Sequence, residues 1–252
     1  MMETRDRGAF GTTGSRRRRL ALVAAAAAAG LSGAAAVAAE GSKTQIPFGQ
    51  AKILIELNAT DEDVGMQILL DGEGWKKVRI SDPNGRRIFE VKGKGGVGRT
   101  GVTELFFESE EPSLAELPLE EFLARFPEGE YEFSGVTIEG DELAGVATLT
   151  HAIPDGPVLV SPEEGAVEDP AATVVAWEPV ADPPGSSIFE YQVIVERADL
   201  LRVFSVHVPA TVTSVTVPAE FLERGRPYKF EVLAIEAGGN QTLSESFFET
   251  AE

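Results

Sequence analysis

The chain has 252 residues and a mass of 26.9 kDa, with 43% hydrophobic and 25% charged residues and a formal net charge of −19. That composition is globular, not disordered or collagen-like, and the length holds one large domain or two ordinary ones. Cysteine is absent and histidine occurs twice, which excludes disulfide staples, zinc–thiolate centres, iron–sulfur clusters and cysteine nucleophiles.

The first 39 residues read as a signal peptide. Arg16 to Arg19 form a basic block, and Leu20 to Ala39 follow without a charge, twelve of the twenty being alanine. A basic region, an apolar run and small residues before a cleavage point are the parts of a secretory leader. Ser15-Arg-Arg-Arg-Arg-Leu20 resembles a twin-arginine leader. Twenty uncharged residues are also long enough to span a bilayer, but alanine and glycine are weakly lipophilic. A membrane partner is therefore expected only if the leader stays uncleaved. The expected location is exported, periplasmic or extracellular, in a bacterium. Removing residues 1–39 takes away six basic and two acidic residues and leaves a net charge of −23. Such an acidic chain is a poor partner for nucleic acid, whose phosphates need the opposite sign.

Residues 46–153 predict a β-sandwich with one short helix. The candidate strands are 53–57, 66–70, 77–80, 88–91, 103–107, 131–138 and 146–150. Asp82-Pro-Asn-Gly85 is a turn signal between two of them. Leu119, Phe122, Leu123 and Phe126 fall at i, i+3, i+4 and i+7, one apolar stripe on a helix covering an open end of the sandwich. Phe126-Pro-Glu-Gly-Glu-Tyr-Glu-Phe133 resembles the strand entry of bacterial immunoglobulin-like domains. The connection Ile153-Pro-Asp-Gly-Pro157 is short and stiffened by two prolines, so the two halves should hold a restricted mutual orientation.

Residues 155–252 predict a second sandwich. Seven alternating runs, at 158–161, 173–177, 189–196, 203–208, 214–217, 228–236 and 245–249, are separated by glycine, proline and aspartate. Period-2 patterning at this spacing argues for an antiparallel sandwich. Trp177 lies in the second run, Tyr191 in the third, and Leu222 stands six residues before Tyr228. With these features the segment resembles a fibronectin type III domain, Tyr228 standing where that family has its tyrosine corner. The resemblance implies a seven-stranded module used as a spacer, adhesion unit or accessory domain, with Trp177 and Tyr228 in the core. The fold class expected for the whole chain is all-β, two tandem antiparallel β-sandwich domains after an N-terminal signal segment.

Candidate sites are few. Asn58, Asp61, Asp63 and Asp71 lie in two acid-rich stretches and offer oxygen ligands for calcium, although the spacing is not that of an EF-hand. The competing reading is two polar turns. Trp75, between glycines, is either a ligand-binding platform for a sugar ring or part of the core. Gly93-Lys-Gly-Gly-Val-Gly-Arg-Thr100 resembles the phosphate loop of deviant Walker ATPases, but Arg99 stands in place of a lysine and the following residues read as strand. A flexible glycine-rich hairpin loop is the expectation there, with no nucleotide and no cofactor other than calcium. Lys76, Lys77, Arg79, Arg86, Arg87, Lys92, Lys94 and Arg99 put half of the basic residues beyond position 39 in one stretch. They are either a patch for an anionic surface or solvated strand faces.

No Gly-x-Ser-x-Gly elbow occurs beyond residue 39, and the two histidines form no set with a nucleophile. The expected function is therefore that of an exported, non-enzymatic binding, adhesion or envelope-scaffold protein, with a protein or cell-envelope polymer as partner. The alternative is an accessory carbohydrate-binding or carbohydrate-active envelope protein.

Overall fold

The computed structural model describes residues 45–197 and 199–252, all within the unit Ala38–Glu252. The expected leader lies outside the described residues.

The first half contains β1 (Gln45–Pro47), β2 (Gln50–Asn58), β3 (Asp63–Ser81), β4 (Arg87–Lys92), α1 (Gly95–Thr100), β5 (Val102–Glu108), α2 (Leu119–Arg125), β6 (Gly129–Thr137) and β7 (Glu142–Leu149). Apolar side chains at alternate positions point inward, among them Ile53 and Ile55 of β2, Val64, Met66, Ile68 and Leu70 of β3, and Tyr131 and Phe133 of β6. Where two strands and a turn were expected over 66–80, the chain makes one strand of 19 residues. Its first part pairs with β2 and β5, its second with β6 and β4. The register shifts around Trp75, so Gly72 and Gly74 mark a coil from one sheet layer to the next and not a reversal. A Cβ at Gly72 would stand 3.0 Å from the Phe48 ring.

The helix forms where its stripe predicts. Pro118 caps α2, where a missing N–H is harmless, and Glu120, Glu121 and Arg125 complement the helix dipole. Phe122 is buried, with Leu119, Leu123 and Phe126 packed on the same core. Phe122→Ala would empty that contact at about 3–5 kcal/mol. The turn after β3 is built by Asp82, whose Oδ1 accepts the N–H groups of Asn84 at 3.0 Å and Arg86 at 2.8 Å, while Gly85 takes φ 73°.

The second half contains β8 (Leu159–Ser161), β9 (Ala166–Glu168), β10 (Val174–Trp177), β11 (Ile188–Arg197), β12 (Arg202–Pro209), β13 (Ser214–Thr216), β14 (Pro227–Glu236) and β15 (Gln241–Thr250). Strands β13-β10-β8 form a three-stranded sheet. It faces β15-β14-β11-β12 across a core that includes Val175, Trp177, Tyr191, Val193, Tyr228, Phe230 and Phe248. Trp177 meets Tyr191 edge-on at 5.2 Å, and Tyr228 stacks on Phe248 at 5.4 Å. Each buried phenol has a backbone partner. Tyr191 accepts the Val180 N–H, and Tyr228 accepts the Glu223 N–H, both at 2.8 Å.

The fold is an all-β sandwich architecture. The expected antiparallel pairing is supplemented by three parallel pairings, β1 with β7, β9 with β15, and β2 with β15. Strands β1 and β9, three residues each, are too short to show a period. The third parallel pairing joins the two halves into one 12-stranded sheet. Among the described residues no helix is long and apolar enough to cross a membrane.

Candidate functional site

The two apolar cores meet at a polar seam. One edge of β15 takes β2 at Gln241–Leu243 and β9 at Phe248–Thr250. Between them the Glu245 N–H donates to Thr60 Oγ1 at 2.9 Å. Asn240, 2% exposed, ties three segments together. Its Oδ1 accepts the Ile55 N–H at 2.9 Å, and its Nδ2 donates to the Thr150 carbonyl at 2.9 Å and to Thr150 Oγ1 at 3.1 Å. Thr242 Oγ1 donates to the Pro154 carbonyl at 2.6 Å. The proline-stiffened connection is thus pinned where it begins, and buried polar groups satisfied in this way specify a single arrangement.

Carboxylates gather beside the seam. Glu56, Glu108 and Glu111 each place one oxygen within 4.8 Å of the others, a donor set of the hard-oxygen kind that suits calcium or magnesium. Two of the three already hold amides. Gln241 Nε2 donates to Glu56, and Gln67 Nε2 donates to Glu108 at 2.8 Å. A Cβ at Gly65 would lie 2.9 Å from Glu111 Cγ, so a larger residue there would push the Glu111 side chain aside. The grouping joins residues up to 55 positions apart, and no spacing in the sequence announces it.

The four residues first considered for calcium are not brought together. Asn58 is buried, and its Oδ1 accepts the N–H groups of Thr60 and Asp61, both at 3.0 Å, which closes the β2–β3 hairpin. Asn58 pairs with Asp63, whereas Asp71 pairs with Gln50 at the far end of the same ladder. Eight residue steps along one strand lead from Asp63 to Asp71, about 26 Å at roughly 3.3 Å per step. One cage cannot include Asp71 with Asn58, Asp61 and Asp63. Trp75 is likewise not a stacking platform. It is 1% exposed and packs in the first core, and its indole Nε1 has no hydrogen-bond partner.

The basic stretch is organised by β4, which among the described residues pairs only with β3. Glu90 sits amid three cations, with Lys77 Nζ at 3.1 Å, Arg79 Nε at 2.7 Å and Arg87 Nη1 at 2.8 Å. The hydrogen bonds from Arg79 and Lys77 hold its carboxyl down at about 2, from an ordinary value of 4.5. Lys92 stands in register with Lys77. Past it the expected flexible loop is a short helical turn, α1. Lys94 O accepts the Gly98 N–H at 3.1 Å, and Val97 O accepts the Gly101 N–H at 2.8 Å. Glycine is required at 98, where a Cβ would stand 2.6 Å from the Gly93 carbonyl oxygen. Strand β5 follows at once.

In the second half the buried Arg197 bonds Asp199, with Nε–Oδ1 at 2.7 Å, and also bonds Glu223. Glu223 takes Arg202 as well, at 2.8 Å. These contacts raise the Arg197 pKa further and lower those of Asp199 and Glu223. The histidines are far apart in role. His151 Nε2 is 2.8 Å from the Phe126 carbonyl, and His207 Nδ1 is 2.9 Å from Glu190.

The fold and these surfaces define the chain as an all-β protein built of sandwich modules. Residues 162–250 match the family model of the fibronectin type III domain, and the carboxyl-terminal half is similar to that family. No curated protein matches the chain. Similar solved structures include the FN1–FN3 domains of chicken CNTN1, at 13% identity and TM-score 0.33, covering 84% of this chain and 67% of that one. A two-domain fibronectin type III segment of chicken tenascin is 11% identical, with TM-score 0.29 and coverage of 80% and 98%. A tetra-tandem repeat from the extending region of a large adhesion protein is 13% identical, with TM-score 0.28 and coverage of 79% and 48%.

Proposed function

We propose that the chain is an exported, non-catalytic binding or adhesion module in which two β-sandwiches act as one rigid unit. The observation that carries this reading is the seam. A fibronectin type III-like sandwich is fused through the β2–β15 pairing and Asn240 to a second sandwich, so loops at fixed separation are presented to a partner. Rigidity of this kind lowers the ordering cost of binding. Export rests on the basic block and alanine-rich run of residues 16–39. The partner is a protein or a cell-envelope polymer. The carbohydrate-binding alternative loses the residue that motivated it, because Trp75 is buried.

Cross-linking in the source cells, followed by mass spectrometry of the chain and its adducts, tests the reading. The expected result is a chain beginning near Glu40, recovered outside the cytoplasm and cross-linked to one envelope component through loop residues. An intact amino terminus in the cytoplasm, or turnover of a defined substrate with no cross-linked component, would overturn it.

A further inference from the structure

A sharp charge contrast runs along β4 and its tip in the first half. Residues 76–99 hold eight basic and two acidic side chains in a chain whose net charge is −19. The two acids are both engaged, Asp82 by Arg86 at 3.1 Å and Glu90 by Lys77, Arg79 and Arg87. Lys76, Lys92, Lys94 and Arg99 make no ion pair among the described residues, and Lys92, Lys94 and Arg99 are exposed. The fold lays these cations along β4 and its glycine-rich tip. Lys92 neighbours Lys77 across the ladder, the Gly93 N–H donates to Lys76 O at 3.0 Å, and α1 carries Lys94 at its start and Arg99 at its end.

The same tip exposes apolar side chains. Val97 is 56% exposed in the middle of α1, and Ile138, at 36%, stands next to Gly101 at its foot. Val97, between Lys94 and Arg99 on one short exposed turn, suits a surface that is anionic outside and apolar beneath. A soluble polyanion has no use for the valine, whereas a lipid bilayer with anionic headgroups uses both features.

We propose that the β4–α1 tip is a docking site for an anionic phospholipid surface. Lys92, Lys94 and Arg99 meet the headgroup phosphates, and Val97 enters the acyl boundary. The acidic remainder of the molecule is repelled by the same surface, which orients the chain with this tip down. Each cation near such a surface contributes about a five-fold factor in partition, so three of them give a strong dependence on salt and lipid charge.

The chain has no cysteine, which allows a single reporter to be placed by mutation. Full chain carrying Val97→Cys, labelled with a polarity-sensitive fluorophore, is mixed with phosphatidylcholine vesicles with and without phosphatidylglycerol. A second reporter at Phe189→Cys, an exposed position in the other half, serves as the control. The expected result is a blue shift at 97 only, on phosphatidylglycerol vesicles only, reversed by salt. It should weaken at least ten-fold in apparent affinity in the triple variant Lys92→Glu, Lys94→Glu, Arg99→Glu, and survive in Lys92→Arg, Lys94→Arg. Because the reporter reads the tip itself, attachment of the vesicle through the amino-terminal segment gives no shift at 97. The absence of a shift at 97, an equal shift at 189, or a shift produced equally by soluble polyphosphate would each overturn the proposal.

Discussion

Asn240 Oδ1 accepts the backbone N–H of Ile55 at 2.9 Å, across 185 positions of sequence. The two residues belong to different halves of the chain, one following β14 and the other in β2. Asn240→Ala would leave that buried N–H without its partner, at about 1–3 kcal/mol, and would remove the bond to the half-buried Thr150 carbonyl, at about 1 kcal/mol. The expected result is a loss of roughly 2–4 kcal/mol in denaturant unfolding, with the two halves separating into distinct transitions. A change within about 0.5 kcal/mol, the range of an inert surface substitution, would show that the clamp does not couple the cores.

Gly156 tests the same seam from the connection. A Cβ there would lie 2.5 Å from Ala59 Cβ and 3.0 Å from Ser244 Oγ. Gly156→Ala should therefore destabilise by about 1–3 kcal/mol through overpacking. Ala59→Gly removes the nearer atom, so the double variant should recover most of the loss in the same unfolding experiment. Simple additivity of the two substitutions would mean that the close approach is not what the glycine serves.

Much of this architecture was legible in the chain. The strands at 203–208 and 228–236, the stripe from Leu119 to Phe126 and the turn at Asp82–Gly85 each report on neighbours close in sequence, and the structure places them as read, although β14 is buried on both faces and not on one. What escaped was non-local. Nothing in Gln241–Leu243 says that its edge will pair with Glu56–Asn58, because a strand edge is backbone and carries no residue signature. The acid pair Asp63 and Asp71 misled for a related reason. Two acid-rich stretches look like neighbouring loops until the seven residues between Asp63 and Asp71 prove to be strand. Trp75 was ambiguous because glycines flank both exposed turns and strand coils, and burial decides between them.

Glu90 gives a pH signature for the basic face. Its pKa is held at about 2 in the folded chain, below the ordinary 4.5, first by the hydrogen bond from Arg79 and then by that from Lys77. A depressed carboxyl stabilises the fold above its unfolded pKa and loses that contribution as pH falls toward the folded value. The carboxyl resonance of Glu90 should thus titrate near pH 2, and acid destabilisation between about pH 4.5 and 2 should be smaller in Glu90→Gln. Arg79→Ala should move the midpoint up toward the ordinary value. A midpoint at the ordinary value in the parent chain would mean that the three cations do not hold Glu90 in solution.

Tyr131 gives the alkaline counterpart. Its hydroxyl donates to the Pro127 carbonyl at 3.0 Å, beside the turn that follows β3. Burial pushes the phenol up to about 12, the Asp82 carboxylate pushes the same way, and Arg86 opposes them. A phenol harder to ionise in the folded chain contributes stability that is whole below its unfolded pKa, about 10, and is lost as pH rises through about 12. Ultraviolet difference titration of parent and Tyr131→Phe should therefore show the missing transition at the high end of the tyrosine range. Arg86→Ala should shift it higher still, since the opposing charge is gone. A transition near the ordinary value that Tyr131→Phe abolishes would place this ring in water and contradict its burial beneath the Asp82 turn.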